Sequence, residues 1–329
     1  METSLDLSRW REKPKGLAYR RGTIVFAGLK ELFATRLFRF LLVVAWLAGV
    51  MIAAVGFLFS QSVADGGLLE SLASHLGPRV EAMVSALDAL VLLYPDIVVH
   101  TLFTCIFWAH SFLGLTLSLV ALTIIVPRLI TRDRASNALV VYLSRPLTSA
   151  DYLLGKLGTI AGVLVLMWTG PLVAGWVLSM LLSPNGDFVV YSFVPLLNAL
   201  LFNVISLVAL ASIALGVSAL SRSSRAATIV WIGLWIIVGT VANTPHAPDW
   251  IHRASFTHDL AQVRQSVFRL DEALAQAGTD LPLLDQRFAQ NLAAAGVREE
   301  PVDFAGSLFG LGAFCVASSL VFFRKLRPE

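Results

Sequence analysis

Six apolar runs, each long enough to cross a bilayer as a helix, leave this chain little choice of fold. They span residues 40–59, 97 to about 127, 157–182, about 189–220, 226 to about 241, and 304–323. A hydrocarbon core of about 30 Å takes roughly 20 helical residues at about 1.5 Å each. Lipid offers backbone N–H and C=O groups no partners, so spanning segments must satisfy them internally. At 57% hydrophobic and 14% charged residues, with mean hydropathy +0.75, the 329-residue chain is too apolar for a soluble domain of its size. The expected fold class is therefore an all-α polytopic membrane protein with six transmembrane helices. The second run exceeds what a bilayer needs and should tilt or project from it. The third carries Gly170-Pro171 near its middle, where the missing proline N–H should kink or break the helix.

The charges give this plan a direction. Of the 25 Lys and Arg, 19 fall in 1–39, 127–156, 221–225 and the tail after the sixth run, together with only 7 of the 22 Asp and Glu. The opposite segments hold the remaining 6 basic and 15 acidic residues. Basic loops stay on the cytosolic side, so both termini are expected there. The pI near 9.0 is thus read as topology rather than as a nucleic-acid footprint. No cleavable leader is expected, because polar and basic residues up to 39 precede a first run long enough to remain in the membrane. Cys105 and Cys315 lie inside apolar segments and imply neither a disulfide framework nor a zinc site.

Four regions follow. Residues 1–39 form a cytosolic tail and an interfacial elbow helix over 17–38, with Val25, Leu29, Leu32 and Phe33 on one side and Lys30, Glu31, Thr35 and Arg36 largely on the other. Residues 40–241 hold spans one to five, with short amphipathic helices in 61–96 on the outer face and a cytosolic loop at 127–156. Residues 242–303 are the longest polar segment. Helical spacing of Leu260, Val263, Val267, Leu270 and Leu274, a break at 278–282, and a resumption through Leu284, Phe288 and Leu292 predict an extracytoplasmic helical hairpin. Residues 304–329 are the sixth span and a cytosolic tail.

The polar, basic stretch 127–156 lies between two of the longest apolar runs. Residues 135–143 can form a short helix with apolar Leu139, Val140 and Leu143, and Arg145 before Pro146 is pushed out of helical geometry. Thr148, three residues before Asp151, makes a capping-box start for the third span. The run Arg132-Asp133-Arg134, then Leu143-Ser144-Arg145-Pro146, then Tyr152-Leu153-Leu154-Gly155-Lys156, resembles the permease subunits of ABC type-2 transporters. The elbow helix, the six-span plan and the basic turn Ser221 to Arg225 extend the resemblance. At Ala135-Ser136-Asn137 the chain departs from the Glu-Gly-Thr-like residues of that family.

The resemblance implies a coupling helix at 131–146, with Arg132, Asp133, Arg134, Asn137, Leu139, Leu143 and Arg145 meeting a separate ABC ATPase subunit. It also implies a second permease copy, a homodimer around one translocation path, and outward transport across a cell membrane, the bacterial inner membrane. No cofactor is expected on this chain, and ATP and Mg belong to the partner ATPase. Gly155-Lys156-Leu157 lacks both the preceding glycine and the Ser or Thr of a phosphate-cradling loop, so no enzyme activity is expected here.

Polar residues inside the runs are candidates for the path or for helix interfaces: His110, with His100 nearly on the same face, and Asn198 and Asn203 in the fourth run. His246, His252 and His258 recur every six residues, a spacing that does not align side chains on a helix, and no metal site is expected. The alternative reading is a non-transporting scaffold that passes the strokes of a cytosolic ATPase to a periplasmic accessory protein through 242–303. Expected partners are otherwise lipid and protein, with no nucleic acid.

Overall fold

The computed structural model of the chain describes residues 16–62, 73–131, 133, 148–183, 186–242, 244, 251–252, 254–281 and 303–325. Among them there is helix and no strand. We number the helices α1 (Leu17–Phe33), α2 (Arg36–Ser62), α3 (Pro78–Leu93), α4 (Pro95–Leu129), α5 (Ser149–Leu164), α6 (Gly170–Leu181), α7 (Asp187–Leu220), α8 (Ser224–Ile232), α9 (Gly239–Ala242), α10 (Phe256–Phe268), α11 (Leu270–Asp280) and α12 (Phe304–Lys325). Wide π turns at Val165–Thr169 and Gly233–Val238 join α5 to α6 and α8 to α9. Six continuous helices are long and apolar enough to cross a membrane: Arg36–Gln61, Pro95–Leu129, Ala150–Leu181, Asp187–Leu220, Ser224–Ala242 and Phe304–Arg324.

The expected elbow is shorter than its sequence pattern. The helix turns at Ala34 and Thr35, whose hydroxyl donates to Leu32 O at 2.8 Å, and α2 then begins with Arg36. The packed side of α1 carries Ile24, Val25, Leu29 and Leu32, while Phe33 is exposed and stacks edge-on against Phe38.

Helices in lipid gain little from burying apolar surface, so close approach at small residues and buried hydrogen bonds hold them together. Helix α2 meets α6 in this way. A Cβ on Gly49 would stand 2.6 Å from Pro171 O, and one on Gly175 would stand 2.5 Å from Gly49 O. Ser179 Oγ donates to Ile52 O at 3.1 Å, and Ser60 Oγ donates to Leu182 O at 3.2 Å. The core lies between α4 and α7, where Phe103, Phe107, Leu122, Phe202 and Leu210 are fully buried. Large apolar side chains stay exposed along α2 (Phe40, Leu47, Met51), α7 (Val190, Val204) and α12 (Phe309, Val316), as surfaces facing lipid require.

Pro171 widens the third span instead of breaking it. Gly170 N donates to Val165 O, five residues back. The next donor in that register would be the N–H of residue 171, which proline lacks, leaving Leu166 O without an intrahelical partner. Trp46 Nε1 on α2 fills the gap at 3.1 Å.

The segment expected as an outer hairpin is built differently. The predicted helix is broken at Arg269, which takes a left-handed φ of 46°, into α10 and α11. Helix α10 packs against α4, α7, α9 and α12. Phe256 meets Trp231 and Phe314, Phe268 meets Phe202, and the Arg264 guanidinium lies over Trp108 and Phe112 at 5.0 and 5.3 Å. Phe112, Phe202, Phe314 and Trp231 all lie within two residues of the midpoints of their spans. Helix α10 therefore sits at mid-height in the bundle, and this part of the hairpin does not stand outside it. The apolar stripe that suggested an outer helix would look the same whether it faced another hairpin arm or the spans. The expected second arm, 283–295, lies outside the described residues.

Candidate functional site

Two polar neighbourhoods carry the chemistry, one at the α1 end of the bundle and one around α10.

The first is centred on the start of α5. Thr148 caps the helix: its Oγ1 accepts from Asp151 N at 3.2 Å, and Asp151 Oδ2 accepts from Thr148 N at 3.2 Å and from its hydroxyl at 2.7 Å. The reciprocal box read from the sequence is formed, with Asp in the usual place of Glu. The other carboxylate oxygen, Oδ1, accepts from Arg21 Nε at 2.8 Å and from its Nη2 at 2.5 Å, tying α1 to α5. Below this fork, Gly155, Gly158 and Gly162 form one stripe on α5. Added Cβ atoms there would stand 2.9 Å from Ile24, 2.7 Å from Val25 and 3.4 Å from Leu29. The elbow helix is thus seated on the third span more than on its own continuation, α2.

Asp133, the one expected coupling residue among those described, faces the same helix. Its Oδ2 accepts from Tyr152 OH at 2.7 Å and pairs with Lys156 Nζ at 2.7 Å, and Lys156 in turn lies 5.4 Å from the Tyr152 ring centre. Tyr152 and Lys156 are one turn apart, so a single face of α5 holds the residue that precedes 134–147, while Thr148 and Asp151 fix the residue that follows it. Arg132, Arg134, Asn137, Leu139, Leu143 and Arg145 lie outside the described residues.

The end of α4 is fastened alongside. Pro127 O, one of the last carbonyls of the helix, accepts from Ser224 Oγ at 3.0 Å and from the Thr131 hydroxyl, while Ile130 N donates to Ser218 Oγ at 3.1 Å. The bonds to Pro127 O supply partners that a carbonyl at a helix C-terminus lacks, and the Ser218 bond ties Ile130 to α7. They also bring the basic turn, with exposed Arg222 and Arg225, beside the start of the loop.

The expected intramembrane polar residues do not converge. Asn203 Nδ2 donates to Thr169 Oγ1 at 3.4 Å, joining α7 to the π turn. His110 is buried, its Nδ1 without a partner among the described residues. Asn198 lines a cavity of about 860 Å³ with His100, Gln265, Arg269 and Glu272, at the end of the bundle away from α1.

Of the second neighbourhood the sequence pattern points to His252 and His258 but not to Asp259 or Arg264. Asp259 and Arg264 share α10 yet face different helices. Asp259 is 5% exposed, beside Ser307 and Gly310 of α12, and its Oδ2 has no hydrogen-bond partner among the described residues. Burial pushes its carboxyl up to about 7, the Ser307 hydroxyl favours the ionised form, and the Asp303 charge opposes it. His252 and His258, on either side of the turn before α10, stack with ring centres 4.8 Å apart, a contact that six-residue helical spacing does not suggest. No group of three metal-ligating side chains gathers among the described residues. The available signal was a charged residue on the same helix as an apolar stripe.

A search of curated proteins finds no match to this chain. The family model described as ABC-2 family transporter protein matches residues 40–247, from the start of the first span past the end of the fifth. Six helices of spanning length agree with it, and the chain is a multi-pass membrane protein belonging to the ABC-2 transporter family.

Proposed function

We propose that this chain is the permease subunit of an ABC transporter, forming with a second copy a path for outward, ATP-driven transport. A separate ATPase subunit docks from the cytosol on the coupling segment 131–146 and carries the ATP and Mg. Both termini and the α1 end of the bundle face that subunit, in keeping with the excess of Lys and Arg in the segments there.

The observation that carries this reading is the double fastening of α5. Asp133 is held by Tyr152 and Lys156, and Asp151 by Thr148 and Arg21, so the two sides of 134–147 are joined to one helix and to the elbow. A displacement of the coupling segment would therefore move the third span and α1 as one body. Packed elements with few arrangements transmit such shifts better than a solvated loop.

The test is to purify the chain with its ATPase partner and to reverse charge with Arg132→Glu and Arg134→Glu. Loss of co-purification and of stimulated ATP hydrolysis is expected. Unchanged recovery of the ATPase with unchanged stimulation would overturn the docking assignment.

A further inference from the structure

A cavity of about 850 Å³ opens between α10 and α12, within the roughly 300–1,000 Å³ typical of pockets for drug-sized ligands. Its lining combines polar Asp259, Gln262, Asp303, His252 and His258 with apolar Phe309, Ala313, Phe314 and Ala317. Three features show what it lacks. Asp259 Oδ2 and Gln262 Oε1 are buried acceptors without hydrogen-bond partners among the described residues. Asp303 spends one carboxylate oxygen on the start of α12, accepting from Gly306 N at 2.8 Å, and brings further negative charge to the same cavity. Arg264, the cation on the same helix, is turned away onto Trp108 and Phe112. A buried carboxylate without a counter-charge is costly, and a cation carrying N–H donors removes that cost.

We infer that this cavity is a binding site for an organic ammonium, its N–H groups on Asp259 and Gln262 and its apolar body against Phe309 and Phe314. The glycine at 310 is part of the design, since a Cβ there would stand 2.5 Å from Asp259 Oδ2 and push the carboxylate away. That the ligand is cargo rests on the transporter reading above; the site itself does not.

The test is calorimetry at pH 8 on the full chain in phosphatidylglycerol nanodiscs, comparing 4-phenylbutylamine with neutral 4-phenylbutanol and subtracting empty discs. The amine should bind at least about 10-fold more tightly. Asp259→Asn should remove that preference, and Ala313→Leu, which fills the cavity without touching a charge, should abolish binding of both compounds. Equal affinity of amine and alcohol for the unaltered protein, a comparison that needs no variant, would overturn the proposal. So would an amine preference that survives both substitutions. Discs containing phosphatidylethanolamine distinguish the source of the ammonium: weakened amine binding identifies a lipid headgroup, and unchanged binding a free amine. Saturable amine binding that leaves hydrolysis by the reconstituted ATPase complex unchanged keeps the site and removes the cargo reading.

Discussion

Asp151 and Asp259 are buried almost equally, at 4% and 5% exposure, in opposite surroundings. Asp151 uses both oxygens: one takes the two N–H groups of Arg21, and the other completes a capping box with Thr148. Asp259 sits among Gly310, Ser307 and another carboxylate, with an oxygen left without a partner among the described residues. A buried charge with its hydrogen bonds complete is a joint, and it fixes how two helices move together. A buried charge without them carries a cost that a ligand can relieve. On the two proposals above, the regions divide their work, transmission near α1 and recognition around α10. The family match covers α5 with Asp151 but leaves out Arg21, α10 and α12.

The sharpest way to break this comparison is to remove each carboxylate and read the sign. Asp259 has an ordinary value of 3.8 raised to about 7 in the fold. The native state therefore holds a proton between about pH 4 and pH 7 that the unfolded chain has lost, and stability falls as pH rises through that window. Asp259→Asn should match the unaltered protein below pH 4 and exceed it above pH 7, by about 4 kcal/mol if the whole shift is realised. Thermal unfolding in detergent from pH 4 to 8 measures this. His252, His258 and Asp303 line the same cavity, and the Asp303 charge adds to the cost of ionising Asp259. A variant that is less stable than the parent at pH 8 would show that Asp259 is already satisfied.

The paired carboxylate should respond with the opposite sign and a smaller size. Asp151→Ala keeps the Thr148 cap bond to its backbone N–H but loses the carboxylate half of the capping box, about 1 kcal/mol, and an ion pair whose arginine is 41% exposed, so that water takes over much of it. A total loss of about 2 kcal/mol is expected. Arg21→Ala alone should cost about 1 kcal/mol, and in the Asp151→Ala background close to nothing. Additive losses would mean that the elbow is held by its glycine-seated apolar face alone.

The sequence made one of these sites far more legible than the other, for physical reasons. The spans and the Thr148/Asp151 box are local patterns, and each reappears in the fold with small shifts at its ends, as at Ala34 and Thr35. The partners of these patterns are distant: Arg21 is 130 residues from Asp151 and Trp46 is 120 from Leu166, and nothing in their own neighbourhoods announces the pairing. Helix α10 was visible as an amphipathic helix, but amphipathicity gives a face and no address. Only its contacts with Trp231, Phe314 and Phe202 place it at mid-height, and only there do Asp259 and Arg264 become unusual.

The smallest expected effect separates holding the fold from passing a movement. Tyr152 is fully buried, and its hydroxyl donates to Asp133 at 2.7 Å while Lys156 pairs with the same oxygen. Tyr152→Phe keeps the ring and deletes one hydrogen bond to a carboxylate, so stability should fall by only about 1 kcal/mol, with Lys156 still in place. If the loop is fastened in order to transmit, coupling should suffer more than stability. ATPase subunits should co-purify with the variant as with the parent, whereas the stimulation of hydrolysis by the permease should drop severalfold, and Tyr152→Phe with Lys156→Met should drop it further. Stimulation that stays intact in the double variant would mean that the fastening serves the fold and that the stroke travels by another contact.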